Sequence, residues 1–140
     1  MTTAGPLSRL RRLSAERRRL LLRAIALLPL ASAGMAVLPF RRAIRFGCVP
    51  SHERHAGIDD VSWAVETAAR YVPVLTMCIE KGLVVQRMLR SGGVDATLHY
   101  GARHHPRSGK LEAHVWVTAE GEYVIGGEEA AGFREIATFR

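Results

Sequence analysis

Along this chain the spacing of apolar positions changes once, from a helical period to an alternating one. Leucines at 7, 10, 13, 20, 21 and 22 stand among arginines at helical spacing, predicting a helix over residues 7–23. Ser14 is followed three positions later by Arg17, not by Glu or Gln, so no capping box fixes its start. An apolar run from Ala24 to Phe40 follows, and Pro29 and Pro39 are expected to punctuate a second helical segment. Phe46 to Gly57, with Gly47, Pro50, His52 and His55, reads as a linker. Asp59-Asp60-Val61-Ser62 then starts a helix whose apolar face holds Trp63, Val65, Ala68 and Ala69, and which should stop before Pro73. Another fits Thr76 to Arg90, with Thr76 as N-cap and Ile79, Leu83, Val84 (or Val85), Met88 and Leu89 at helical spacing. Ser91-Gly92-Gly93 closes it.

Beyond that point the period is 2. Val94 to Ala102, Leu111 to Ala119 and Glu122 to Ile125 read as strands, with Glu120-Gly121 as a tight hairpin turn. Phe133 to Phe139 is expected to add an edge strand. Helices first and an antiparallel sheet afterwards define an α+β domain. The organisation expected is a helical arm over 1–45, a linker over 46–58 and a body over 59–140, with no internal repeat.

A length of 140 residues leaves room for one domain and an extra helix. Hydrophobic residues at 48% are enough for a packed core, and aromatics at 6% argue against a stacking platform for single-stranded nucleic acid. Cys48 and Cys78, the two cysteines, exclude a disulfide framework and a four-cysteine zinc site. Charge alters the picture more. Residues 1–45 carry ten arginines against one acid, Glu16, so of the net +7 the rest of the chain supplies −2. Such an arm suits nucleic acid, anionic lipid, an acidic partner or plain solvent. Its apolar run, close to a minimal membrane span, also imitates a secretory signal, with Ala31-Ser32-Ala33 as the small-residue triplet. Arginines at 41, 42 and 45 directly after the run argue against export. A helical arm packed on the body leads, ahead of a peripheral membrane contact, in a cytoplasmic protein.

Cys78 falls in the first turn of the Thr76–Arg90 helix, where free N–H groups and the macrodipole favour an anion. That location promotes the thiolate that nucleophilic catalysis needs; the alternative is a buried cysteine acting as a small hydrophobe. His114, in Ala113-His114-Val115-Trp116-Val117, stands on a strand and is suited to take a thiol proton and return it to a leaving amine. Together they are the elements of a Cys–His hydrolase. Cys48 lies in the linker without periodic context. His52, His55, His104 and His105 match no metal motif, and Gly126-Gly127 lacks the lysine of a phosphate loop, so no metal or cofactor is expected.

Several segments resemble the lasso-peptide B proteins, a family of transglutaminase-like leader peptidases. They are Trp63 with Ala68-Ala69-Arg70, Val72-Pro73, Thr76-Met77-Cys78-Ile79, Gln86-Arg87-Met88-Leu89-Arg90, Leu98-His99-Tyr100-Gly101-Ala102, and Glu112-Ala113-His114-Val115-Trp116-Val117 with Gly121. The arginine- and leucine-rich start ending at Pro39-Phe40-Arg41-Arg42 is similar as well. The resemblance implies a papain/transglutaminase-like core with Cys78 as nucleophile, His114 as base and acid, and an acidic third member on the next strand. It also implies removal of the leader from a ribosomally made precursor, delivered by a separate leader-recognition protein, before an ATP-dependent cyclase closes the macrolactam. No nucleic-acid partner is implied.

The chain departs from that pattern at the third member. A two-residue turn at Glu120-Gly121 pairs residue 119 with 122 and residue 114 with 127, where Ile125, Gly126 and Gly127 offer no acid. Glu128 is the nearest, and a one-residue bulge would bring it close, so Glu128 is taken as the third member; a dyad oriented by a backbone carbonyl is the other chemically sufficient arrangement. Thr118 stands where the family often has glutamate. Two other readings share these residues: transglutaminase-type acyl transfer, and a non-catalytic adaptor whose basic arm binds membrane or nucleic acid.

Overall fold

A computed structural model of the chain describes residues 5–50, 57–73 and 77–140. The first predicted helix is two. Helix α1 spans Pro6–Arg11 and α2 spans Ala15–Val37, and Ser14 caps α2 by accepting the Arg17 N–H on its hydroxyl at 3.2 Å. A hydroxyl at the N-cap needs no partner glutamate to satisfy a first-turn N–H. Pro29 does not interrupt α2, contrary to the sequence expectation. The ring removes one backbone hydrogen bond, but Leu28 and Ala31 beside it are buried at 0% and 2% exposure, and that packing holds the helix. Pro39 precedes a short helix α3, Phe40–Ala43, and a 3-10 turn over Ile44–Gly47.

Helix α4 is Ile58–Ala69 and α5 is Cys78–Ser91. The buried centre of α4 is Val61, Ala64, Val65 and Ala68; Trp63 and Ala69 lie at its margin, partly buried. Gly93 at φ +86° turns the chain after α5, and the Val94 N–H donates to the Leu89 carbonyl at 2.9 Å. Val94 thus belongs to the helix closure, and β1 begins two residues later.

Strands β1 (Ala96–His104), β2 (Leu111–Ala119), β3 (Glu122–Ile125) and β4 (Arg134–Phe139) form one antiparallel sheet in the order β3-β2-β1-β4; a short helix α6, Gly127–Ala130, lies between β3 and β4. The tail is therefore the edge strand beside β1, as its pattern predicted. Glu120 and Gly121 both take positive φ, +54° and +80°, the geometry of a tight hairpin turn whose twist matches the strands.

One hydrophobic cluster joins α2 (Leu21, Ala24, Leu28), α4, α5 (Leu83, Val84, Met88) and one face of the sheet (Leu98, Val115, Val117). Helix α5 comes close to that face at Gly82, where a Cβ would meet the Val115 side chain at 2.7 Å. The basic arm is fastened by charge as well: Arg17 pairs with Asp60 at 2.9 Å, and Arg23 donates to the Ser91 hydroxyl at 2.8 Å. Arm and body thus share one core.

The strand register sends alternate residues to opposite faces. Leu98, Tyr100, Val115, Val117 and Ala119 face the helices. His99 opposite Trp116, Gly101 opposite His114 and Arg103 opposite Glu112 occupy the other face.

Candidate active site

Cys78 is the first residue of α5, with Met77 at the N-cap. Thr76, the expected N-cap, lies outside the described residues. The Glu80 carboxylate accepts the Met77 N–H at 3.0 Å and so fixes the start of the helix at the residue that carries the thiol. A first-turn N–H such as that of Cys78 has no partner within the helix and points toward whatever lies before it.

His114 is held from three sides. Its Nε2 lies 2.8 Å from the Gly126 carbonyl oxygen, Trp116 stacks on the ring at 6.0 Å, and Phe133 tilts against it at 5.1 Å. A carbonyl only accepts, so Nε2 carries the proton and the neutral ring presents its lone pair at Nδ1. That nitrogen is 3.9 Å from a Glu129 carboxylate oxygen.

The thiol and the ring open onto one cleft of about 550 Å³, where β3 stops and leaves the edge of β2 uncovered beside Ile125 and Gly126. No hydrogen bond joins Cys78 to His114: the ring lies on the sheet face away from α5, and the two residues line the cleft from either side of the uncovered edge of β2. Two ion pairs border it, Lys81–Glu66 at 3.3 Å and Arg103–Glu112 at 2.9 Å, and the Arg103 guanidinium lies 4.3 Å from the centre of the Phe133 ring. The rim is polar and the imidazole itself is buried, at 7% exposure.

The ion pair to the ring is made by Glu129 and not by Glu128. The expected pairing holds for Ala119↔Glu122 and Thr118↔Tyr123, but Val117 then faces Ile125, so Val124 is an extra residue in β3. The predicted bulge is thus present, yet its effect differs from the expected one. At Gly126 the backbone takes φ +74° and leaves the sheet, and a Cβ there would meet the Val115 carbonyl at 2.6 Å. The chain coils into α6 before residue 128 can lie opposite 114. Glu128 instead borders, with Ser62, Tyr123 and His114 itself, an adjoining hollow.

The remaining sequence candidates lie elsewhere. Burial raises the Cys48 thiol above its ordinary range, against the pull of Arg90 and Arg45, which keeps it protonated at neutral pH and a poor nucleophile. His104 contacts the Gly109 carbonyl at 3.1 Å, and His105 Nδ1 accepts the N–H groups of Arg107 and Ser108, so both serve their own loop. His52 and His55 lie outside the described residues, among which no group of three metal-ligating side chains occurs. His99, not singled out by the sequence reading, pairs with Glu135, contacts the Thr118 hydroxyl at 2.7 Å and stacks on Trp116. It ties three strands together. Sequence reasoning also missed Glu129 and the two bordering ion pairs; counting register back from the 105–110 loop would have paired Arg103 with Glu112.

Helices on one face of an antiparallel sheet, with a thiol at a helix head and an imidazole on a strand facing one cleft, define a fold of the cysteine-protease type. The chain belongs to the Transglutaminase-like superfamily, whose family profile matches residues 24–138. No curated protein and no solved structure matches it.

Proposed function

We propose that this protein is a cysteine peptidase that removes the leader from a ribosomally made lasso-peptide precursor. The observation that carries the reading is the shared cleft: Cys78 at the head of α5 and His114, anchored through Nε2 on the Gly126 carbonyl, are the groups a thiol hydrolase requires. The segments around both residues resemble the leader peptidases, and the superfamily agrees with them.

Nδ1 of His114 takes the Cys78 proton, and the sulfur adds to the scissile carbonyl carbon. The oxygen gains negative charge and accepts the Cys78 backbone N–H, aided by the positive end of α5. The imidazolium returns its proton to the leaving amine, the C–N bond breaks, and a thioester remains on Cys78. Water, deprotonated at Nδ1, then releases the acid and restores the thiol. The Gly126 carbonyl anchors Nε2 and the Glu129 carboxylate lies near Nδ1, so the third role falls to a backbone acceptor with an acid nearby. Catalytic hydrogen bonds are often long in an empty site, and this reading requires that thiol and ring meet when substrate fills the cleft.

The partners that go with this reading are the precursor's leader, a separate recognition protein that presents it, and an ATP-dependent cyclase that consumes the product, which places the protein on the cytoplasmic side of the membrane. Incubating precursor and recognition protein with the wild type should yield leader and core fragments by mass spectrometry. Cys78→Ala should fold with an unchanged melting temperature and yield neither; undiminished cleavage by that variant would overturn the assignment.

A further inference from the structure

Past Arg23, helix α2 is apolar on nearly all sides, yet only one side is covered. Leu21, Ala24, Leu28 and Ala31 are buried against the body. On the opposite side Leu22, Ala26, Leu30, Ala33 and Val37 recur every three or four residues and are all exposed. Leu22, Leu30 and Val37 show 51%, 58% and 78% of their surface to solvent, and Leu38 and Phe40 extend the stripe. A surface helix ordinarily places polar residues there. Arginines cluster at its two ends instead, Arg19 and Arg23 at its start and Arg41, Arg42 and Arg45 in α3 and the turn that follow it. Among the described residues, Arg19, Arg41, Arg42 and Arg45 have no acidic partner. No acid occurs in the sequence between Glu16 and Glu53.

We propose that this face docks flat on an anionic phospholipid bilayer, with the stripe among the upper acyl chains and the arginines at the phosphates. The stripe is about 22 Å long at the helical rise, and beyond Arg23 near its start it offers no hydrogen-bonding side chain. Nucleic acid would need cations along the stripe, where there are none beyond Arg23 at its start. A second copy packed antiparallel would set arginines against arginines. Helix α2 is long and apolar enough to cross a membrane, but crossing would strip Ala24 and Leu28, both at 0% exposure, from the core. Lying in the interface leaves that core intact.

Flotation of the full chain with vesicles tests the proposal independently of the peptidase reading. With phosphatidylcholine vesicles containing phosphatidylglycerol the protein should float, and added salt should weaken the association. Leu30→Glu/Val37→Glu, at exposed positions, should lose flotation while keeping its melting temperature and its leader cleavage in solution. Arg41→Gln/Arg42→Gln should bind anionic vesicles only as weakly as the wild type binds neutral ones. Failure of the wild type to float, equal flotation of the Leu30→Glu/Val37→Glu variant, or loss of a dimer or of nucleic-acid binding in its place would overturn it.

Discussion

The two faces of the sheet are made from the same strands and do different work. Toward the helices, Leu98, Val115, Val117 and Ala119 are closed off at 3% exposure or less and carry no polar side-chain atom. On the other face, His99, Trp116 and His114 form a row in which each ring stacks on the next, tied at its edges by Thr118, Glu135 and Gly126. The first face is held by volume, so it tolerates change of identity at similar size but not loss of size. The second is held by directed contacts, and a shift of one backbone atom there reaches the imidazole. Fold stability and the orientation of the candidate base are therefore separable by substitution.

The largest expected effect on stability comes from the helix-facing side. Leu98→Ala should cost about 2–5 kcal/mol, read by denaturant unfolding, because it empties part of a closed core. Cleavage per folded molecule should be retained at temperatures where the variant is native, and its specific loss would break the comparison. Gly126→Ala should cost less, about 1–3 kcal/mol, through the positive φ and the crowded Val115 carbonyl. Its effect on cleavage should exceed its effect on folding, because the acceptor of His114 Nε2 must move. Proportional loss of both would reduce Gly126 to a turn residue. The smallest effects separate two neighbouring acids. Glu129→Gln should lower the cleavage rate modestly, since it removes a charge 3.9 Å from Nδ1, whereas Glu128→Gln should leave it unchanged. Kinetics of both variants under one set of conditions would sharpen the boundary of the site, and the reverse ranking would restore Glu128 as the third member.

The strands were legible because alternation is a local property. Leu111–Ala119 and Glu122–Ile125 coincide with their predicted bounds. The helical half was read less well. The break before Ser14 is hidden by leucines on both sides of it, and Pro29 looks like a stop until the burial of its neighbours is known. Register counted from the Glu120-Gly121 turn was right for two pairs and failed at Val117, because the bulge is set where Gly126 must turn away beneath the Val115 carbonyl. Gly126-Gly127 marks a turn in the sequence, but nothing there announces the bulge at Val124 that precedes it. Glu128 and Glu129 are indistinguishable in sequence, and a four-residue helix decides which of them lies near the ring.

Sequence alone determined the elements, the separation of a strongly basic start from a slightly acidic remainder, a cysteine at a helix head and a histidine on a strand. Each of these depends on residues a few positions apart. Tertiary structure decided that α2 gives one side to the core and leaves the other bare, that thiol and imidazole share one cleft, and that a carbonyl holds Nε2. Those outcomes depend on which surfaces meet, and packing joins residues whose distance along the chain carries no information about their distance in space.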